Sequence, residues 1–273
     1  MERHRIHPEL LERQVRAVVV GCGGTGSAVV AGLPYLHQSL VAWGHPGGLH
    51  VTVLDGDAIS PVNCVRQPFS RSELGLNKAV VLVNRLNLFW GLKWEGIPAH
   101  LKPGTFVSRN YSGDDLRAQI VIGCVDTRAA RAAIRDAVSN WSSTSYLIDL
   151  GNSSDTGQFI LGEPLNERNR RSRLRLRTAG ELFPEICDPA LDDDNEPSCS
   201  ALAALERQGP FINSTLAQHA LALLARLFRY GEISHHGGFI NLATGATSVL
   251  RVDLRCWKRI RRAGKRNSRS QQV

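Results

Sequence analysis

The stretch VVVGCGGTGSAVV, residues 18–30, decides the fold. A valine run reads as a buried strand, and Gly21, Gly23 and Gly26 keep the G-x-G-x-x-G spacing. Small residues then continue as a helix from about Thr25 to Leu36. Backbone N–H groups at such a helix start point at an anion, so the segment reads as a phosphate cradle. NAD and ATP both present phosphate, and the glycines alone leave the choice between them open. The charged residues downstream have to make it.

LHVTVLD reads as a second strand ending at Asp55, AQIVIGCVD as a buried strand ending at Asp126, and SYLIDLG as another ending near Asp149 and Gly151. Residues 71–90, with Leu74, Lys78 and Leu82 four apart, and TRAARAAIRDAV read as helices. Alternating strands and helices predict an α/β fold, a doubly wound and mostly parallel Rossmann-like sheet with a smaller distal α+β region. Ligands of such sheets bind beyond the carboxyl ends of the strands, where the glycine loop, Asp55 and Asp126 would meet. Residues 1–160 are the expected nucleotide-binding region. Residues 161–254 form the distal region, with a basic run (168–177), a turn-rich acidic stretch, a long apolar helix stopped at Gly231 and a closing hairpin. Residues 255–273 are expected to be a disordered basic tail.

That tail carries Arg255, Lys258, Arg259, Arg261, Arg262, Lys265, Arg266 and Arg269 and no acid, which equals the net charge of +8. The body is therefore close to neutral, and the tail is either a solvated end or a holder of nucleic acid or an acidic protein. The 273 residues contain no apolar run of the roughly 18 needed to span a bilayer and no signal-peptide pattern, so a cytoplasmic protein without membrane contact is expected. The six cysteines form no C-x-x-C pair, so neither zinc nor a disulfide framework is expected. His235 and His236 are adjacent in sequence and cannot share one strand face, which argues against a metal role for them.

Asp55 lies 29 residues after Gly26, where a carboxylate accepts ribose hydroxyls from NAD and ATP alike. LDGDAISPVNCVRQPF then supplies Asn63, Arg66 and Gln67, and Lys78 follows twelve residues after Arg66. A dinucleotide enzyme has no task for that Arg and Lys. An enzyme that breaks a triphosphate uses such cations to offset charge on the departing pyrophosphate. Asp126 at a strand end would suit Mg2+, a hard cation that takes one or two carboxylates plus phosphate oxygens.

The ordered set Gly21, Gly23, Gly24 and Gly26, Asp55 and Asp57, Asn63, Arg66 and Gln67, Lys78, and Asp126 resembles the adenylating domain of ubiquitin-activating E1 enzymes and their bacterial relatives ThiF and MoeB, over residues 16–160. The resemblance implies that residues 1–160 are an adenylation region of E1/ThiF type using ATP and Mg2+. It implies that Asp55 holds the ribose, that Asn63, Arg66 and Lys78 hold the phosphates, and that Asp126 helps place the metal. It also implies a homodimer in which Arg13 or Arg16 crosses to the partner's ATP. Two departures stand out: Val65 takes the place of the family's second Asn, and the two C-x-x-C pairs common in ThiF and MoeB are absent. The distal phrases PSCSALAALERQGPFIN and FINSTLAQHALALLARLF resemble the ThiF-like proteins of plasmid PRTRC systems.

The implied reaction is ATP-dependent adenylation of the C-terminal carboxylate of a ubiquitin-like (β-grasp) or sulfur-carrier protein, followed by thioester or persulfide-type transfer at a cysteine and on to an E2-like acceptor. Cys199, in EPSCSAL before an expected helix, is the candidate nucleophile; its Pro-x-Cys-Ser context resembles the thioester segment of E1 relatives. Acidic Asp192 to Asp194 and Glu196 beside it would raise its pKa, so a structural thiol is the competing reading. Cys187 is a second candidate. Two other functions stay open: an NAD(P)-binding oxidoreductase, and a non-catalytic adaptor that binds protein or DNA.

Overall fold

A computed structural model describes residues 2–101, 118–139, 143–167, 169–192 and 209–270, with side chains as far as 263. The valine run becomes β2 (Val15–Val20), the middle of the parallel part of an eight-stranded sheet. On one side β3 (Leu49–Leu54) and then β4 (Glu95–Ile97) run parallel to it; on the other lie β5 (Ile120–Gly123) and β6 (Tyr146–Asn152). The sheet then turns antiparallel through β7 (Thr156–Gly162), β9 (His235–Asn241) and β10 (Ala246–Arg251). Between β9 and the helix before it, β8 (Glu232–Ile233) pairs with β1 (His4–Arg5) as a separate two-stranded clip. The distal residues 161–254 thus extend the same sheet.

Both faces of the parallel strands are covered, which is why β2, β3 and β5 read as nearly continuous apolar runs. One face packs on the helices Gly24–Ala42 and Ile212–Tyr230, through Val29, Leu33, Leu40, Leu216, Leu223 and Leu227. These two helices lie against each other, and a Cβ on Gly32 would overlap the Leu221 side chain. On the other face Ile134 and Val138 of the helix Arg128–Ser139 close over Val18, Val20, Leu54, Val121 and Leu147. Among the described residues, no helix is long and apolar enough to cross a membrane.

Three elements differ from expectation. The helix expected over 71–90 is two pieces, a 3-10 turn Arg71–Glu73 and a helix Lys78–Trp90, because Gly75 takes φ +80° and Asn77 caps the second piece. The glycine-loop helix runs on to Ala42, past the expected end at Leu36, with Pro34 inside it. The segment from 255, expected to be disordered, lies in a helix spanning Leu254–Ser270. Counting charge alone hid its apolar anchor: Trp257 is buried, and Leu254 and Ile260 are half-buried against the core. The Trp257 indole N–H donates to His236 Nε2 at 2.9 Å, and His236 Nδ1 bonds the Leu161 carbonyl at 2.6 Å. With both ring nitrogens so engaged, His236 is a structural histidine.

Candidate functional site

The carboxyl ends of β2, β3 and β5 lie side by side, joined by bonds from Gly21 N–H to Leu54 O and from Cys124 N–H to Val20 O, both 2.8 Å. Gly21 adopts φ +93°, and a Cβ there would lie 2.6 Å from the Cys124 carbonyl. A Cβ on Gly26 would overlap the Gly21 carbonyl, and one on Gly24 would run into Asn213. Gly23 differs, because among the described residues no atom beyond its chain neighbours lies within 4 Å of where its Cβ would be. It is also the N-cap of the helix Gly24–Ala42 and offers no side chain to the first N–H groups, which leaves them for another acceptor. Thr25 Oγ1 donates to Asn213 Oδ1 at 2.7 Å, and Asn152 Nδ2 donates to the same oxygen at 3.2 Å. The loop is thereby fixed to the long helix and to β6.

Asp55 follows β3 directly and is buried. Its two carboxylate oxygens accept the N–H groups of Cys22 (2.5 Å) and Asp57 (2.8 Å). Burial raises its pKa, and those two bonds offset part of the rise. Each carboxylate oxygen can accept a further donor, as a ribose contact requires. Asn77 holds the D-x-D turn by donating to the carbonyls of Asp55 (2.8 Å) and Asp57 (3.1 Å), while its Oδ1 accepts the Val80 N–H. Lys78, at the first turn of its helix, is buried, and its Nζ lies 2.8 Å from Asp57 Oδ2. His100 Nε2 approaches the same carboxylate at 3.6 Å.

Asn63 begins the short helix Asn63–Arg66, and its Oδ1 accepts the Ser60 N–H and hydroxyl at 2.9 and 3.0 Å. Arg66 is half-buried; burial lowers its pKa, and the Asp126 carboxylate opposes that shift. These two charges, sixty residues apart in sequence, therefore share one field. Asp126 itself is exposed, three residues beyond β5. Gln67 Oε1 is buried without a hydrogen-bond partner among the described residues. Arg85 braces this segment by donating to the Pro68 carbonyl at 2.5 Å and lying 5.8 Å from the Phe69 ring centre.

Cys199 lies outside the described residues. On the near side of its segment, the Asp192 carboxylate accepts the N–H groups of Arg128 (2.7 Å) and Ala129 (2.9 Å), at the start of the helix that follows Asp126. On the far side, Gly209 N–H bonds the Ser154 carbonyl at 2.8 Å. Cys187 is buried, and burial, then Asp149, raises its pKa, so it is a protonated and poor nucleophile at neutral pH. Burial pushes Cys22 up to about 12 and raises Cys124 as well. Arg13 and Arg16 stand at the opposite end of β2 from the glycine loop.

Sequence reasoning missed Asn77, Arg85, Asn152 and Asn213. Asn77 carried a readable signal, an Asn placed directly before a helix. The other three act on residues distant in the chain, and no local pattern marks them. The donor set fits the groups that such a crevice implies. Open backbone at Gly23 suits phosphate, and the unpartnered acceptor of Gln67 suits a hydroxyl or amino group. An exposed carboxylate at Asp126 suits a magnesium ion that keeps water and phosphate oxygens.

The sequence model of the ThiF family matches residues 9–246. No curated protein sequence matches the chain. Among solved structures, E. coli MccB with MccA-N7isoASN superposes at a TM-score of 0.56 with 16% identity, over 87% of this chain and 64% of that one. E. coli MccB with ATP gives 0.53 and 17%, over 89% and 64%. PaaA gives 0.56 and 12%, over 87% and 64%. The chain thus spans just under two thirds of the length of these proteins, and at such identities the likeness is one of fold.

Proposed function

Because this chain belongs to the ThiF family, we propose that it is an ATP-dependent adenylating enzyme of E1-like type. One observation supports the reading: the glycine loop, the buried Asp55 carboxylate and the Lys78–Asp57 ion pair follow or face neighbouring strand ends, and Arg66 lies in the field of Asp126, beyond the next strand. An oxidoreductase would leave Lys78 and Arg66 without a task. The fold relative MccB has been solved with ATP and with MccA, which fits a site for a nucleotide and a second molecule.

In the proposed reaction a carboxylate oxygen attacks the α-phosphorus of ATP, the bond to the β-phosphate oxygen breaks, and pyrophosphate leaves with its electron pair. The product is an acyl adenylate. No general base is needed, since a carboxylate is ionised at neutral pH. Asp55 accepts the ribose hydroxyls, and the N–H groups at Gly23 and beyond receive phosphate. Lys78 has three donors and spends one on Asp57, so its ammonium can also reach a phosphate oxygen. Arg66 and Lys78 offset the charge that grows on pyrophosphate. Magnesium, when bound, would supply further neutralisation of the phosphates, with Asp126 as its protein ligand.

The acyl donor we favour is the C-terminal carboxylate of a ubiquitin-like or sulfur-carrier β-grasp protein, with Cys199 as the residue that would receive the acyl group before an E2-like acceptor. The narrower kinship with PRTRC-system proteins belongs to this same reading. A homodimer is supported by exposed Tyr35, Leu88 and Phe89, which flank Trp90 on adjoining helices. Nucleic-acid contact is supported by Arg255, Lys258, Arg259 and Arg262, whose i, i+3, i+4, i+7 spacing makes one exposed basic stripe.

ATP–pyrophosphate exchange with a panel of small β-grasp proteins as carboxylate donors tests the proposal. Lys78→Met and Arg66→Ala should each lower exchange at least about 100-fold, the scale of losing one charge-stabilising donor, with thermal unfolding preserved. Wild-type exchange in both variants, or NADH bound in the crevice in place of ATP, overturns it.

A further inference from the structure

A second polar cluster lies at the other end of the sheet from the crevice. His4 and His7 come from the N-terminal segment, Tyr146 opens β6 and Glu163 follows β7. His4, Tyr146 and Glu163 are buried, and the His7 side chain is 31% exposed. The proposed adenylation uses none of them. We propose that His4 Nδ1, His7 Nε2 and the Glu163 carboxylate form a binding site for one zinc-like divalent cation, separate from the nucleotide crevice.

The spacing carries the proposal. One nitrogen from each histidine and one Glu163 oxygen all lie within 4.8 Å of one another. His7 Nε2 is 2.9 Å from Glu163 Oε1, and His4 Nδ1 is 3.5 Å from Glu163 Oε2. Zinc bonds of about 2.0–2.2 Å in a tetrahedron place neighbouring ligand atoms roughly 3.4 Å apart. The two separations, each to a different oxygen of the one carboxylate, lie on either side of that edge, so small side-chain adjustments admit the ion. The donors are two imidazoles and a carboxylate, a set that zinc uses with one open position. Half-exposed His7 gives that position a path to water.

The surroundings hold the donors as metal ligands are held. His4 Nε2 lies 2.7 Å from the Tyr146 hydroxyl, and the Leu176 N–H donates to Glu163 Oε2 at 2.7 Å. The Tyr146 contact at Nε2 leaves His4 Nδ1 as the nitrogen that faces Glu163, at 3.5 Å. In the tautomer that carries the proton on Nε2, an Nδ1 lone pair and a carboxylate oxygen stand opposite each other, and a cation between them would take both. A purely mechanical reading also exists, in which the cluster only fastens the N-terminal segment to the sheet. Both readings lose stability on mutation, and only one makes stability depend on zinc.

The experiment uses the full-length chain stripped with a chelator, titrated near neutral pH with Co2+ and then Zn2+. One equivalent of Co2+ should give visible ligand-field bands that Zn2+ displaces, and Zn2+ should raise Tm by mass action. His7→Ala, at the half-exposed ligand, should weaken binding at least about 100-fold and abolish the zinc-dependent rise in Tm, and Glu163→Gln should act likewise. Tyr146→Phe should weaken it about 10-fold, as loss of a supporting partner does. If Glu163→Gln fails to fold, His7→Ala decides alone. No binding at micromolar metal overturns the proposal, as does stoichiometric binding that His7→Ala leaves unchanged, which would belong to cysteines such as Cys64 or Cys256.

Discussion

At the scale of single residues, the four loop glycines are not equivalent. Gly26 has no room for a methyl group because the Gly21 carbonyl occupies that space, and backbone cannot swing aside as a side-chain tip can. Gly26→Ala should therefore cost roughly 3 kcal/mol or more, at the upper end of overpacking effects, measurable by denaturant unfolding. Gly23→Ala should behave oppositely. Its φ is negative, −73°, and among the described residues nothing beyond its chain neighbours meets the added methyl, so the loss of stability should be far smaller, about 1 kcal/mol or less. ATP affinity in that variant should fall at least about 10-fold if phosphate approaches the loop there. Unchanged affinity would place the phosphates elsewhere.

At the scale of elements, Asn77 joins a strand end to a helix start. Asn77→Ala removes the cap and the two bonds to the D-x-D turn, and should lower stability by about 1–2 kcal/mol. Pyrophosphate exchange should drop with it, since Asp55 and Lys78 lose their common support. Asn77→Ser, which can cap but cannot brace the turn, should recover stability more than exchange; equal recovery of both would remove the bracing role. The terminal helix carries a pH dependence. Burial pushes His236 down to about 4 from its ordinary 6.5, and the neutral ring accepts the Trp257 N–H. The unfolded chain binds the extra proton between those values, so the contribution is intact above about pH 6.5 and is lost as the pH falls toward 4. Its full size is roughly 3 kcal/mol. His4, also lowered by burial, acts in the same direction, while His235 and Glu163 complete the charges around the ring. Unfolding midpoints between pH 4.5 and 6.5 should slope less in His236→Gln than in the wild type; equal slopes would refute the assignment.

At the scale of the whole molecule, one eight-stranded sheet joins the N-terminal and distal parts of the described residues, with the β1–β8 clip beside it. Its parallel half presents the crevice, and its antiparallel half holds the long helix that fixes the glycine loop through Asn213. Changes in the distal residues should consequently reach the nucleotide site without touching it. Tyr35, Leu88 and Phe89 form an exposed apolar group on adjoining helices that a partner surface would cover. Replacing Leu88 and Phe89 together with serine should dissociate the proposed dimer to monomer in sedimentation while leaving Tm nearly unchanged. A monomeric wild type, or a dimer that survives the double change, would remove this face as the interface.

The sequence by itself determined the parallel α/β core, the glycine loop with its helix, the strand end at Asp55, the stop at Gly231 and the closing hairpin. Those features depend on side-chain periodicity, glycine torsions and local caps, which neighbouring residues specify. Only the tertiary structure decided which glycine borders open space, that Arg66 shares a field with Asp126, and that Cys187 is too buried to react. It also decided that the basic terminal segment folds, and that His4 and His7 meet Glu163. Each of these depends on burial or on partners far apart in the chain. Desolvation and long-range packing set their energies, and neither leaves a mark in local spacing.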